Sequence, residues 1–269
     1  MLRVTLNTQR HAFHLVNPSA MPLLTAISSL AFVCGSIFYF QGFLFGLETT
    51  FFGLFSIISC MFLWWRDVVR EGTLEGSHTN IVQLGLRYGM ILFIVSEVMF
   101  FFAFFWAFFA VSLAPAIELG NIWPPKGLEV LSATAIPLLN TLLLLCSGAT
   151  VTFAHHAIVS GQKSEAILGL MLTIILAIFF TTLQGFEYFA ASFSICDGVY
   201  GSTFFMATGF HGFHVFVGSC LLVICLLRLH RDHFTTKHHF GFEAAAFYWH
   251  FVDVVWLFLY ITIYFWGGN

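Results

Sequence analysis

An all-α membrane protein of seven transmembrane helices is the fold class this sequence predicts, and three observations carry that prediction. Of the 269 residues, 59% are hydrophobic and only 9% charged, against roughly 25% charged in an ordinary soluble domain. Apolar runs of about 18 residues or more, each able to cross ~30 Å of hydrocarbon as a helix, recur along the whole length. The Lys and Arg residues also divide unevenly between the two sides that seven crossings define. A soluble protein is excluded, and no nucleic-acid partner is expected.

The spans are predicted at 23–40, 47–65, 81–113, 137–158, 165–190, 199–227 and 242–265. Gln41-Gly42 ends the first, and the charged stretch from Arg66 to Thr79 separates the second from the third. The third, ~33 residues at ~1.5 Å each, exceeds the bilayer core, so it tilts or projects beyond it. Pro115 and the run Trp123-Pro124-Pro125 close it. Pro137 suits the first turn of the fourth span, where a missing N–H costs nothing. Gly161-Gln162-Lys163, Asp197-Gly198 and the stretch from Arg228 to Gly241 punctuate the rest. Neither a repeat nor a soluble domain interrupts this single membrane bundle.

Orientation follows from the basic residues. With seven spans the N-terminal tail shares a side with the second, fourth and sixth loops, which places Arg3, Arg10, Arg66, Arg70, Lys163, Arg228, Arg231 and Lys237 together. The opposite side holds Lys126 alone, and Arg87 sits inside the start of the third span. The basic side faces the compartment of synthesis, so the N-terminus is expected in a cytoplasm or a mitochondrial matrix. The opening MLRVTLNTQRHAFHLVNPSAMP lacks the apolar core of a secretory leader.

Chemistry inside the membrane needs polar groups there. The stretch GMILFIVSEVMFFFAFFWAFF, residues 89–109, contains one carboxylate, Glu97. An ionisable group near mid-span costs at least ~2.5 kcal/mol to insert and is a functional candidate on that ground. Its helical neighbours Phe93, Ile94, Phe100 and Phe101 supply no charge, so a partner must come from another helix or from water. Two readings stand: a protonated acid that ties two helices together, or a proton-handling or lipid-facing group.

His211 and His214, three apart in ATGFHGFHVF, share a face of the sixth span. The spacing suits a metal or haem iron, but the further ligands such sites need are missing at matched depth, Glu187 lying toward the wrong end. Hydrogen bonding within the bundle, with Glu97 as one partner, is the favoured expectation. His155-His156 ends the fourth span, His230, His233, His238 and His239 belong to a basic loop, and His250 with Asp253 is expected as a hydrogen-bonded packing pair. The six cysteines (34, 60, 146, 196, 220 and 225) form no CxxC pair and read as small apolar packing residues. Nucleophile elbow, phosphate loop and HExxH are all missing. In WWRDVVREGTLEGSH, paired Trp mark headgroup depth and Arg66, Arg70 and His78 follow. Guanidinium groups at that level hold phosphate; ordinary anchoring with Asp67 and Glu71 as ion-pair partners is the alternative.

The runs WWRDVVREG, GLRYGMILFIVSEVMFF, WPPKG, PLLNTLLLLCSGATVTFAHHA, DGVYGSTFFMATGFHGFHVFVGS and HHFGFEAAAFYWHFVDVVWLFLYITIYFWGG resemble subunit III of the haem-copper cytochrome c oxidases, most closely the mitochondrial form. The resemblance covers nearly the whole chain. It departs at Ala20-Met21, where the family usually has Pro-Trp, and at Cys196, where Ser is usual.

The resemblance implies helices 1–2 (residues 1–75) set apart from helices 3–7 (residues 76–269) by a cleft that holds phospholipid and guides oxygen. It implies a subunit with no catalytic residue and no bound metal or other cofactor, haem a and copper residing in partner subunits I and II. Accessory subunits and a respiratory supercomplex are the further partners. The implied place is the mitochondrial inner membrane, N-terminus in the matrix and C-terminus in the intermembrane space. The implied roles are to keep a proton-uptake route open and to protect subunit I from inactivation. Glu97 matches the family's intramembrane carboxylate, with His211 or His214 as its partner, and Trp65, Arg70, Glu71, His78 and Arg228 match lipid-contacting positions. A quinol-oxidase relative commonly lacks the first two helices. A di-haem carrier or a transporter would need its own ligand set or a repeat with broken helices.

Overall fold

A computed structural model describes residues 11–268, the side chain of Glu118 excepted; Arg3 and Arg10 lie outside them. All regular structure among the described residues is helical: α1 (Met21–Phe40), α2 (Gly46–Thr73), α3 (Asn80–Leu113), α4 (Ile136–Val159), α5 (Lys163–Ala190), α6 (Val199–His230) and α7 (Phe240–Leu259). A 3₁₀ turn at Ile117–Leu119 follows α3, and a π-helical segment, Tyr260–Trp266, continues α7. The seven helices are long and apolar enough to cross a membrane.

Two helices overrun their predicted ends. The charged stretch after Trp65 was expected as a loop, yet α2 runs on to Thr73. Hydropathy marks where lipid ends, whereas Arg, Glu and Val continue a helix in water or headgroups without a break. Likewise α6 carries Arg228 in its last turn and ends at His230.

The chain divides into two compact units, one ending at Leu86 and the other starting at Arg87, so that α3 begins in the first and continues in the second. In the first unit α1 and α2 form a hairpin whose backbones approach closely. A Cβ at Gly35 would strike the backbone of Thr50, and one at Gly53 the backbone of Phe32. Small residues at such crossings replace the hydrophobic driving force that lipid removes. Hydroxyls along both helices turn on their own carbonyls, as Ser28 does on Leu24 and Thr50 on Gly46, which satisfies those donors without water.

In the second unit α7 is the central element, flanked by α4 and α6, with α5 against α4 and α6. Trp249 and Trp256 are fully buried. Their indole N–H groups donate to Ser147 Oγ and Thr141 Oγ1 of α4, both at 2.9 Å. Gln184 of α5 accepts from Asn140 at 3.2 Å and donates to Tyr264 at 3.3 Å. An otherwise apolar core thereby acquires a specific helix register.

Candidate functional site: an intramembrane acid–histidine pair and a polar groove

Glu97 stands near the middle of α3, seventeen residues from Asn80 and sixteen from Leu113. His214 holds the matching place in α6, fifteen residues from Val199 and sixteen from His230. Glu97 Oε2 and His214 Nε2 are 2.7 Å apart, with side chains 21% and 9% exposed. The second ring nitrogen, Nδ1, is 2.7 Å from the Phe210 carbonyl. A carbonyl only accepts, so Nδ1 carries a proton and donates it there. One further proton then lies between Nε2 and the carboxyl, either as an acid donating to imidazole or as an imidazolium donating to carboxylate. In both forms the pair is neutral overall, which is what a low-dielectric site tolerates.

The pair is walled by rings. Phe101 lies 5.0 Å from the His214 centroid, Phe100 6.0 Å and Tyr248 6.1 Å. His211 points elsewhere: its Nε2 is 3.1 Å from the Val252 carbonyl, and it packs between Phe180 and Trp256. Of the two histidines on one face, the structure brings His214 to Glu97 and turns His211 into the core.

The second feature is a groove of about 580 Å³ within the first unit. His14, Trp64, Arg70 and His78 line it together with three carboxylates, Asp67, Glu71 and Glu75, and Val82 and Leu86 add apolar surface. The rings of His14 and His78 meet edge-on at 6.0 Å. Thr79 Oγ1 donates to the Ala12 carbonyl, which holds the N-terminal segment against the start of α3. Arg66 turns away to Asp67 at 2.8 Å. Trp65 is half exposed on α2, and its neighbour Trp64 takes the lining position. Arg228 belongs to the second unit, its guanidinium 4.4 Å above the Phe234 ring.

One expectation fails. His250 does not hydrogen-bond Asp253; its Nε2 is 3.2 Å from Thr152 Oγ1 of α4, while Asp253 Oδ1 is buried without a partner. Residues three apart share a face, but that does not turn their polar ends together. Two arrangements escaped the sequence reading. Arg87 grips Glu243 with Nε at 2.8 Å and Nη2 at 3.0 Å, a match hinted at only by two charges placed inside predicted spans near the basic side. Glu187 is a carboxylate buried in the core, and no local pattern announces that.

The match to known proteins is decisive. The family model described as cytochrome c oxidase subunit III matches residues 11–268. The chain belongs to that family. Cytochrome c oxidase subunit 3 of Marchantia polymorpha is 62% identical over 97% of this chain and 99% of its own length. The Arabidopsis thaliana protein of that name is 60% identical over 98% and 99%, and the Mus musculus one 58% over 97% and 99%. As a subunit III chain this is a multi-pass membrane component of the respiratory chain's terminal oxidase, and so part of an oxidoreductase complex. An acid–histidine pair and a groove of mixed charge are the two properties to explain in such a chain.

Proposed function

We propose that this chain is a core subunit without a redox centre, serving catalysis that takes place in neighbouring subunits I and II, which hold haem a and copper. Its part is to hold a neutral acid–histidine pair within the membrane, to support proton uptake by subunit I, to bind phospholipid, and to stabilise the catalytic subunit. The observation that carries this reading is the 2.7 Å contact between Glu97 and His214. It uses the one histidine nitrogen that an iron would need, since the other faces the Phe210 carbonyl. His211 is packed between Phe180 and Trp256, and its Nε2 donates to Val252 O. In the groove, Arg70 with His78 and Trp64 suits a phospholipid headgroup, and Glu71 there suits the amine of a zwitterionic one. Arg228 and Trp65 extend the same role to headgroup depth elsewhere on the chain.

Similarity to the eukaryotic relatives favours a mitochondrial inner membrane, and the basic residues favour the N-terminus in the matrix and the C-terminus in the intermembrane space. Accessory subunits and a respiratory supercomplex complete the proposed partners. The test is depletion of this chain from the purified oxidase by detergent. Haem and copper are expected to stay with the remainder, which reduces oxygen at first and then loses proton uptake and activity faster than the intact complex. Iron or copper leaving with this chain would refute the proposal.

A further inference from the structure

Three side chains apart from both features converge where α4 ends and α7 begins. His155, near the end of α4, has its Nε2 buried without a hydrogen-bond partner. His239, the residue that precedes α7, is 7% exposed. Its Nδ1 lies 2.9 Å from the Thr235 carbonyl, so Nδ1–H donates there and Nε2 offers a lone pair. Glu243, one turn on, brings Oε1 to 3.3 Å from that Nε2. One donor atom from each of the three lies within 4.8 Å of the other two.

We infer that His155, His239 and Glu243 form a binding site for a borderline divalent transition metal, Zn²⁺ being the ion they fit best. Two imidazoles and one carboxylate make up the donor set of an open zinc site, whereas Mg²⁺ and Ca²⁺ take oxygen ligands. Bonds of ~2.1 Å at tetrahedral angles put ligand atoms ~3.4 Å apart. The His239–Glu243 pair already has that spacing. His155 needs to close by at most ~1.4 Å, which a ring swing supplies.

The outer contacts are those of a ligand set held in place. Thr235 O fixes the His239 tautomer, and Arg87 orients the Glu243 carboxylate through two hydrogen bonds. The Arg87 charge also repels a dication, so the site fills and empties with the surrounding zinc rather than keeping a permanent ion. A proton shared by His239 and Glu243 is the occupant that competes with it. Binding would pin the end of α4 to the start of α7. This departs from the sequence expectation of no bound metal, yet zinc has no redox chemistry, so the proposed function stands or falls separately.

The experiment uses the purified oxidase complex, washed with chelator and then equilibrated with Zn²⁺. Anomalous diffraction at the zinc edge is expected to place a peak among His155, His239 and Glu243 with bonds of ~2.0–2.2 Å. Equilibrium dialysis with radioactive zinc is expected to show one site weakened by at least about tenfold in His239→Gln and in Glu243→Gln, and unchanged in His156→Gln. Absence of the peak at saturating zinc overturns the inference, as does unaltered zinc binding in His239→Gln with normal haem content. Should these variants fail to assemble, the map of the unaltered complex decides alone.

Discussion

Glu97 of α3 and His214 of α6 face each other at 2.7 Å, Oε2 to Nε2, at the midpoints of two transmembrane helices. Because His214 Nδ1–H is already given to the Phe210 carbonyl, the second nitrogen is the one that meets Glu97. The pair is thus a closed unit with one exchangeable proton and no net charge.

Replacing Glu97 with Gln keeps a donor opposite Nε2, so Glu97→Gln is expected to assemble with unchanged haem and copper and largely intact oxygen reduction. Glu97→Ala leaves a buried ring nitrogen unmatched, at about 1–3 kcal/mol, and is expected to lower the thermal stability of the complex. Metal analysis and thermal unfolding of the two variants side by side check this; loss of haem or copper in Glu97→Gln would count against a role outside the redox centres.

At the α1–α2 crossing a side chain on Gly53 would occupy the space of the Phe32 backbone. Gly53→Leu is expected to separate the hairpin, while Ser29→Ala, on an exposed hydroxyl that bonds only its own helix, is expected to leave it closed. Cysteine crosslinking between the two helices in membranes reads the difference directly.

Headgroup binding at Arg70 and Arg228 makes a compositional prediction. The double variant Arg70→Ala with Arg228→Ala is expected to co-purify with less phospholipid than the unaltered complex, by mass spectrometry of extracted lipid. Arg66→Ala, whose guanidinium is spent on Asp67, is expected to retain it. Equal lipid content in all three would refute the headgroup role.

Much of this was legible before any coordinates. Hydropathy found seven spans because lipid imposes one dominant rule on every crossing helix, and the helices differ from those spans mainly at their water-facing ends, as at Arg66 to Thr73. Glu97 was legible because a lone acid in hydrocarbon is costly. Which histidine meets it was not, since His211 and His214 share a face and only the rotation of α6 against α3 and α7 separates them. The same limit hid the Arg87–Glu243 grip, which joins residues far apart in sequence. It also misdirected the pairing of His250, whose partner Thr152 lies on another helix. The groove beside Arg70 was half visible: the charged stretch was plain, but that His14 returns to meet His78 depends on how the N-terminal segment folds back.

The most direct test is iron and copper analysis, with an optical spectrum, of this chain isolated from its complex. A polypeptide free of both metals and without a Soret band is the predicted result; stoichiometric haem or copper held by the isolated chain would contradict it.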